Sequence, residues 1–272
     1  MNGQRQNGGG GNNSSIGAAA RRHGPAVADT LRTGYWPGRA ARFLTRLAAR
    51  REARAIVVLG LLSVIFAVVA HLVRDNEFRA VDLTVTHTLQ RPRRPLLDYA
   101  ATLFTNAGSG VTYAVVLVLV AVPLLRARRV WAAGLLLAAA LAGHPSNFWL
   151  KTLFERKRPT AEDLVQVMLP TSGTSFPSGH AQSAVMFYGF LAFLAWVLLH
   201  RRRPRRTIVA MLVGLIALIG VSRIYVGAHW FSDVLGGWTV GLFCLFLLAE
   251  AYKGVGANEL SPRDPVPPHP PQ

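Results

Sequence analysis

The stretch from Ser222 to Asp233 reads Ser-Arg-Ile-Tyr-Val-Gly-Ala-His-Trp-Phe-Ser-Asp and sits between two strongly apolar runs. A helix starting near His229 would put His229 and Asp233, four residues apart, on one face. The Asp233 carboxylate could then accept a hydrogen bond from one imidazole nitrogen and leave the other free as a nucleophile. Arg223 could bind the anion that such a nucleophile attacks. The competing reading is a membrane-edge loop whose polar residues merely face water.

Two further blocks bear on that choice. The first runs Lys151-Thr-Leu-Phe-Glu-Arg-Lys-Arg158-Pro159, and the second runs Phe176-Pro177-Ser178-Gly179-His180. Lys151, Arg158 and Arg223 are three cations, with arginine offering paired donors to phosphate oxygens and lysine a compact charge. Ser178 and Gly179 open a helix, where outward-pointing N–H groups and the helix dipole favour an anion. Gly179 permits a close backbone approach. His180 is then set to exchange a proton with a leaving group. Taken singly, each residue also fits a structural or interfacial role; their joint occurrence favours chemistry.

These blocks need a scaffold. The chain has 272 residues, 51% of them hydrophobic, and a formal net charge of +17 that comes almost entirely from arginine. The apolar residues lie in blocks flanked by arginines, as in membrane proteins. Six spans are expected: Ala55–Val73, Ala107–Leu125, Val130–Leu150, Ala181–Leu199, Thr207–Val221 and Val234–Tyr252. A kink or loss of regularity is expected at Gly143, His144, Pro145 and Asn147. Gly236 and Gly237 suit close helix contact. The segment Asp75–Thr105 is too polar to span; it reads as amphipathic pieces at the interface, broken at Arg91–Pro95. Residues 1–50 read as a disordered basic tail, within which Ala40–Arg54 could form a short basic helix on an anionic leaflet. Residues 51–254 read as the membrane domain and 255–272 as a disordered Pro-rich tail. Cys244, the only cysteine, reads as a small apolar residue in a span.

With six spans, both termini fall on one side. The arginine-rich loops Arg126–Arg129 and His200–Arg206 share that side with the basic N-terminal tail, which places it in the cytoplasm. Arg79, Arg91, Arg93 and Arg94 run against this rule. The three polar blocks then meet at the opposite, outer face.

The pattern Lys151-x6-Arg158-Pro159, then Pro177-Ser178-Gly179-His180, then Ser222-Arg223-x5-His229-x3-Asp233 resembles the type 2 phosphatidic acid phosphatase (PAP2) superfamily. All three blocks agree in order and spacing, and the likeness extends over about residues 55 to 252. The N-terminal tail and the Thr160–Ser175 loop lie outside it. The superfamily also holds soluble acid phosphatases and vanadium-dependent haloperoxidases; the spans favour its membrane branch.

The resemblance implies an all-α, integral membrane six-helix bundle with a PAP2/haloperoxidase-like core. It implies catalysis by His229 as nucleophile, Asp233 as its orienting partner and His180 as proton donor and acceptor. Lys151, Arg158, Ser178, Gly179 and Arg223 would bind phosphate, with no metal or other cofactor. Expected partners are a lipid phosphate substrate and membrane lipids. Nucleic acid is not expected, because the basic tail carries no recognition module. Substrates consistent with the resemblance are undecaprenyl diphosphate, phosphatidate, phosphatidylglycerol phosphate and the phosphates of lipid A. Phe148, Trp149, Trp230 and Phe231 are expected in an interfacial belt. The Arg/Ala-rich, Lys-poor composition suits a bacterial inner membrane. The alternatives are a lipid phosphotransferase and a non-catalytic lipid-binding protein on the same scaffold.

Overall fold

The computed structural model describes residues 37–108, 110–169 and 171–256, with side chains from residue 50 onward. Among them the protein is all-helical. Helix α1 covers Pro37–Arg74, α2 Arg79–Gln90, α3 Pro95–Ala107 and α4 Gly110–Arg126. Helix α5 covers Val130–Lys151, α6 Gly179–Leu198, α7 Arg202–Tyr225 and α8 Phe231–Val255. The chain divides into the units Met1–Val57 and Val58–Gln272, and the packing described below lies within the second. Of the tails expected at 1–50 and 255–272, residues 1–36 and 257–272 lie outside the described residues. Residues 37–50 are helical and continue into α1, so Ala40–Arg54 is not a separate short helix.

Helix α6 is the hub. It is apolar around its whole circumference, and such a helix must be surrounded by others. Helices α5, α7 and α8 pack on it. Leu136 and Ala139 of α5, Phe187 and Phe190 of α6, Ile219 of α7 and Tyr252 of α8 form the main core. Small residues let α8 approach α6. A Cβ on Gly237 would sit 2.5 Å from the Ser178 carbonyl oxygen, and one on Gly241 would sit 2.8 Å from that of Gln182. That closeness lets the Ser178 N–H donate to the Asp233 carbonyl at 3.0 Å.

Four helices are long and apolar enough to cross a bilayer: Arg50–Arg74, Gly179–Leu198, Arg202–Tyr225 and Phe231–Val255. The bent pair α3–α4 makes a fifth candidate. Helix α5 has the length, at 22 residues, but His144, Pro145, Ser146 and Asn147 dilute its apolar character. The loss of regularity expected there is absent, and α5 runs unbroken through Pro145. The Ser146 hydroxyl donates back to the Ala142 carbonyl at 2.7 Å, and the carbonyl that Pro145 leaves without its usual N–H is that of Leu141.

The segment between α1 and α4 breaks after Gln90, as expected, into α2 and α3. The buried residues of α2 are Asp82, Thr86 and Gln90. They are spaced four apart, so one polar stripe faces the protein. Gln90 donates to the carbonyls of Tyr225 at 2.8 Å and Gln166 at 3.0 Å, fastening α2 over the α7–α8 turn.

Candidate active site

The turn between α7 and α8 holds the central imidazole. Gly227 has φ +69°, and a Cβ there would lie 2.4 Å from the Gln166 carbonyl oxygen, so glycine is required on both counts. The N–H groups of Ala228 and His229 both donate to the Arg223 carbonyl at 3.1 Å, tying the turn to the end of α7. Helix α8 begins at Phe231 rather than at His229, with Trp230 extended as its N-cap. The expected His–Asp pairing survives this shift. Asp233, at the third helical position, reaches back to accept the Trp230 N–H at 2.8 Å. Its Oδ2 then lies 3.4 Å from His229 Nδ1, and both side chains are buried.

The other ring nitrogen, Nε2, faces Arg158 Nη1 at 3.3 Å. Burial pushes the His229 imidazole down to about 4; Asp233 opposes this, and the cationic Arg223 and Arg158 add to it. A neutral ring with Nδ1–H directed at the carboxylate leaves the Nε2 lone pair as an acceptor, here facing Arg158 Nη1.

The cations are held by loop carbonyls. Arg158 donates to Gly173 O at 3.0 Å, Thr174 O at 3.1 Å and Ala228 O at 2.7 Å. Lys151 Nζ donates to the same Thr174 oxygen at 2.5 Å. Arg223 is buried, and its Nε has no hydrogen-bond partner; neither has the buried Ser178 Oγ. A buried donor without a partner, such as Arg223 Nε in the wall of the cavity, suits an incoming acceptor.

Lys151, Arg158, Gly179, His180, Arg223 and His229 line one cavity of about 640 Å³. Asp233 stands behind His229. Gly179 packs where a Cβ would lie 2.9 Å from Asn147 Oδ1, and Gly108 backs His180, a Cβ there falling 3.1 Å from the ring. One residue differs from expectation: Ser178 is fully buried and is not among the residues lining the cavity, its N–H is spent on Asp233 O, and its hydroxyl is the group left without a partner. The aromatic belt is also only partly present. Phe148 and Trp149 are exposed, but Trp230 is buried, donating from Nε1 to Lys157 O at 3.0 Å beneath the Arg79 guanidinium.

Sequence reasoning missed the groups behind the imidazole. Arg156, counted as a spacer between Lys151 and Arg158, places Nη1 2.5 Å from Asp233 Oδ1 and Nη2 2.5 Å from Asp82 Oδ2. Ser175 Oγ donates to Asp233 Oδ2. Asn147 donates to Pro177 O at 3.2 Å and Gln182 Oε1 at 3.0 Å, bracing the start of α6. The Asp82–Thr86–Gln90 stripe was the available signal, since three polar residues at helical spacing beside apolar ones mark a buried polar contact. Among the described residues no group of three or more His, Cys, Asp or Glu side chains is placed to hold a metal ion.

A cavity lined by three cations, His229 and His180 suits an anion by its charge. Comparisons with known proteins agree with that chemistry. The profile of the PAP2 superfamily matches residues 129–256. Phosphatidylglycerophosphatase B of Bacillus subtilis (strain 168) is 30% identical over 184 residues, covering 67% of this chain and 89% of that protein. A putative undecaprenyl-diphosphatase of Escherichia coli (strain K12), YbjG, is 38% identical over 34% of this chain and 43% of its own. The crystal structure of a transmembrane PAP2-type phosphatidylglycerolphosphate phosphatase from Bacillus subtilis superposes with a TM-score of 0.66. It is 26% identical, over 72% of this chain and 96% of that one. Aquifex aeolicus LpxE gives a TM-score of 0.50 at 28% identity, over 63% and 96%.

Proposed function

The chain belongs to the PAP2 superfamily, as an integral membrane phosphatase of its lipid-phosphatase family, and from that premise we propose a phosphohistidine mechanism at the outer face of a bacterial inner membrane. His229 Nε2 attacks phosphorus, and the bond to the leaving oxygen breaks as His180 gives that oxygen a proton. His180 then takes a proton from water, which attacks the phosphohistidine and releases inorganic phosphate. Asp233 orients His229 and stabilises its charge. Lys151, Arg158, Arg223, the Ser178 hydroxyl and the Gly179 N–H hold the equatorial oxygens, whose charge grows in the transition state. These fixed cations supply what a magnesium ion supplies elsewhere, so the reaction needs no metal. The observation that carries this reading is the single cavity lined by three cations, His180 and His229.

Six crossings, with α5 and α3–α4 among them, leave the loops Arg126–Arg129 and His200–Arg206 cytoplasmic together with both termini. The site then opens outward at headgroup depth, where a lipid can keep its tail in the bilayer. The names of the relatives direct attention to phosphatidylglycerol phosphate and undecaprenyl diphosphate, with phosphatidate as a third candidate. The test is phosphate release from these lipids by purified protein, run beside His229→Ala. Loss of about 10³-fold or more in the variant supports the phosphoenzyme. Near-normal turnover by the variant overturns it, and transfer of labelled phosphate to a second lipid instead of water identifies a phosphotransferase.

A further inference from the structure

We propose that Arg156 is a positioning residue, clamped between the carboxylates of Asp82 and Asp233 so that Asp233 is locked in the orientation that aims His229 Nε2 at phosphorus. This rests on His229 being the nucleophile.

Each oxygen of Asp233 has its own duty. Oδ2 takes the Trp230 N–H at 2.8 Å and the Ser175 hydroxyl, and faces His229 Nδ1 at 3.4 Å. Oδ1 takes Arg156 Nη1 at 2.5 Å. Asp233 is fully buried, so without Arg156 that oxygen would be an unpaired anion in a dry site. Any rotation that relieved it would carry Oδ2 away from the imidazole.

Arg156 is itself anchored. Its Nη2 donates to Asp82 Oδ2 at 2.5 Å, and its Nη1 donates to Ser232 Oγ at 2.7 Å. Asp82 accepts the Ser232 N–H at 2.8 Å and the Ser232 hydroxyl at 2.7 Å. The clamp thus joins α2, the loop after α5 and the first turn of α8. A guanidinium meets the two carboxylates through separate nitrogens, Nη1 and Nη2, a span that one compact ammonium lacks. Arg156 and Arg158 are two residues apart: one guanidinium holds the carboxylate behind the imidazole, the other contacts the Nε2 nitrogen in front. Asp82 lies outside residues 129–256, so the positioning apparatus extends beyond the stretch that matches the superfamily profile.

The experiment uses full-length protein in detergent with a short-chain phosphatidate. Arg156→Gln should lower kcat, per folded protein, by about 10- to 100-fold, the usual range for a partner standing behind an active-site ligand, with KM changed less than about twofold. Asp82→Asn, a milder change that leaves Arg156 paired to Asp233, should lower kcat by a smaller factor. The double variant should fall no further than Arg156→Gln alone, since both act by one route. Added guanidinium ion should recover part of the kcat of Arg156→Ala, and equimolar sodium chloride should not. Unchanged kcat in folded Arg156→Gln and Asp82→Asn, or an effect confined to thermal stability, overturns the proposal. His229→Ala is assayed in parallel. If it is inactive while the Arg156 and Asp82 variants keep kcat, only this inference fails. If it turns over normally, the nucleophile assignment fails and this inference with it.

Discussion

Arg158 Nη1 lies 3.3 Å from His229 Nε2, so the guanidinium hydrogen-bonds the very nitrogen proposed as the nucleophile, and an incoming phosphate must take that contact over. The same guanidinium reaches three backbone carbonyls, at Gly173, Thr174 and Ala228. Its plane is therefore fixed before any ligand arrives.

Arg158→Lys should cost about 10²-fold or more in kcat/KM, because a point charge cannot hold this fork and the phosphate together. Steady-state kinetics on a lipid monophosphate measures it. A change of less than threefold would remove Arg158 from the phosphate site.

The depressed value of His229 fixes the sign of a pH effect. Held at about 4 in the folded protein against an ordinary 6.5, the imidazole stays neutral, and nucleophilic, until the pH falls toward about 4. The acid limb of kcat/KM due to His229 should thus lie near 4 rather than 6.5. Stability follows the same proton. Below about 6.5 the unfolded chain binds it and the folded chain does not, so stability falls as pH drops from about 6.5 to about 4 and levels off below. Thermal unfolding across that window checks the second half of the argument.

Ser175→Ala removes one donor to the charged Asp233 carboxylate. A hydrogen bond to a charged group is worth about 1.5–3 kcal/mol, but the Trp230 N–H and Arg156 remain. A roughly tenfold fall in kcat with an unchanged KM is expected from kinetics on the purified variant.

Gly236→Ala would drive a Cβ to within 2.4 Å of the Phe176 ring, which is fully buried and packs on Phe66 and Phe154. Overpacking of this kind costs about 1–3 kcal/mol. Both melting temperature and kcat should fall, since Phe176 precedes the Pro177–Gly179 stretch at the cavity. Phe176→Leu in the same protein should return part of each, and its failure to do so would place the strain elsewhere.

EDTA should leave turnover intact, and vanadate should inhibit it by adopting the pentacoordinate geometry that the cations favour. Strict dependence on added magnesium would contradict the assignment of phosphate neutralisation to Lys151, Arg158 and Arg223.

The front of the site was readable from residue order alone. Lys151, Arg158, His180, Arg223 and His229 sit at the ends of apolar runs, and the alternation of spans brings those ends to one face. The back of the site was not readable. Arg156 looked like one more cation in a basic loop, and its partner Asp82 lies 74 positions earlier in a helix whose apolar residues suggested the lipid interface. The Asp82–Thr86–Gln90 spacing marks a buried polar face on α2, but nothing periodic says which distant residue it meets. The start of α8 was misplaced for a local reason, because Trp230 and not His229 takes the extended capping conformation. The polar far end of α5 lowered its apolarity for the same reason it matters, since Asn147 braces the loop that carries Ser178.

The oxygen of Thr174 that receives both Lys151 and Arg158 has a kinetic consequence. Two like charges would otherwise spring apart once inorganic phosphate departs. In the proposed cycle a dipole from the chain itself would keep them seated between turnovers, so that product could leave without dismantling the cradle that is to receive the next lipid.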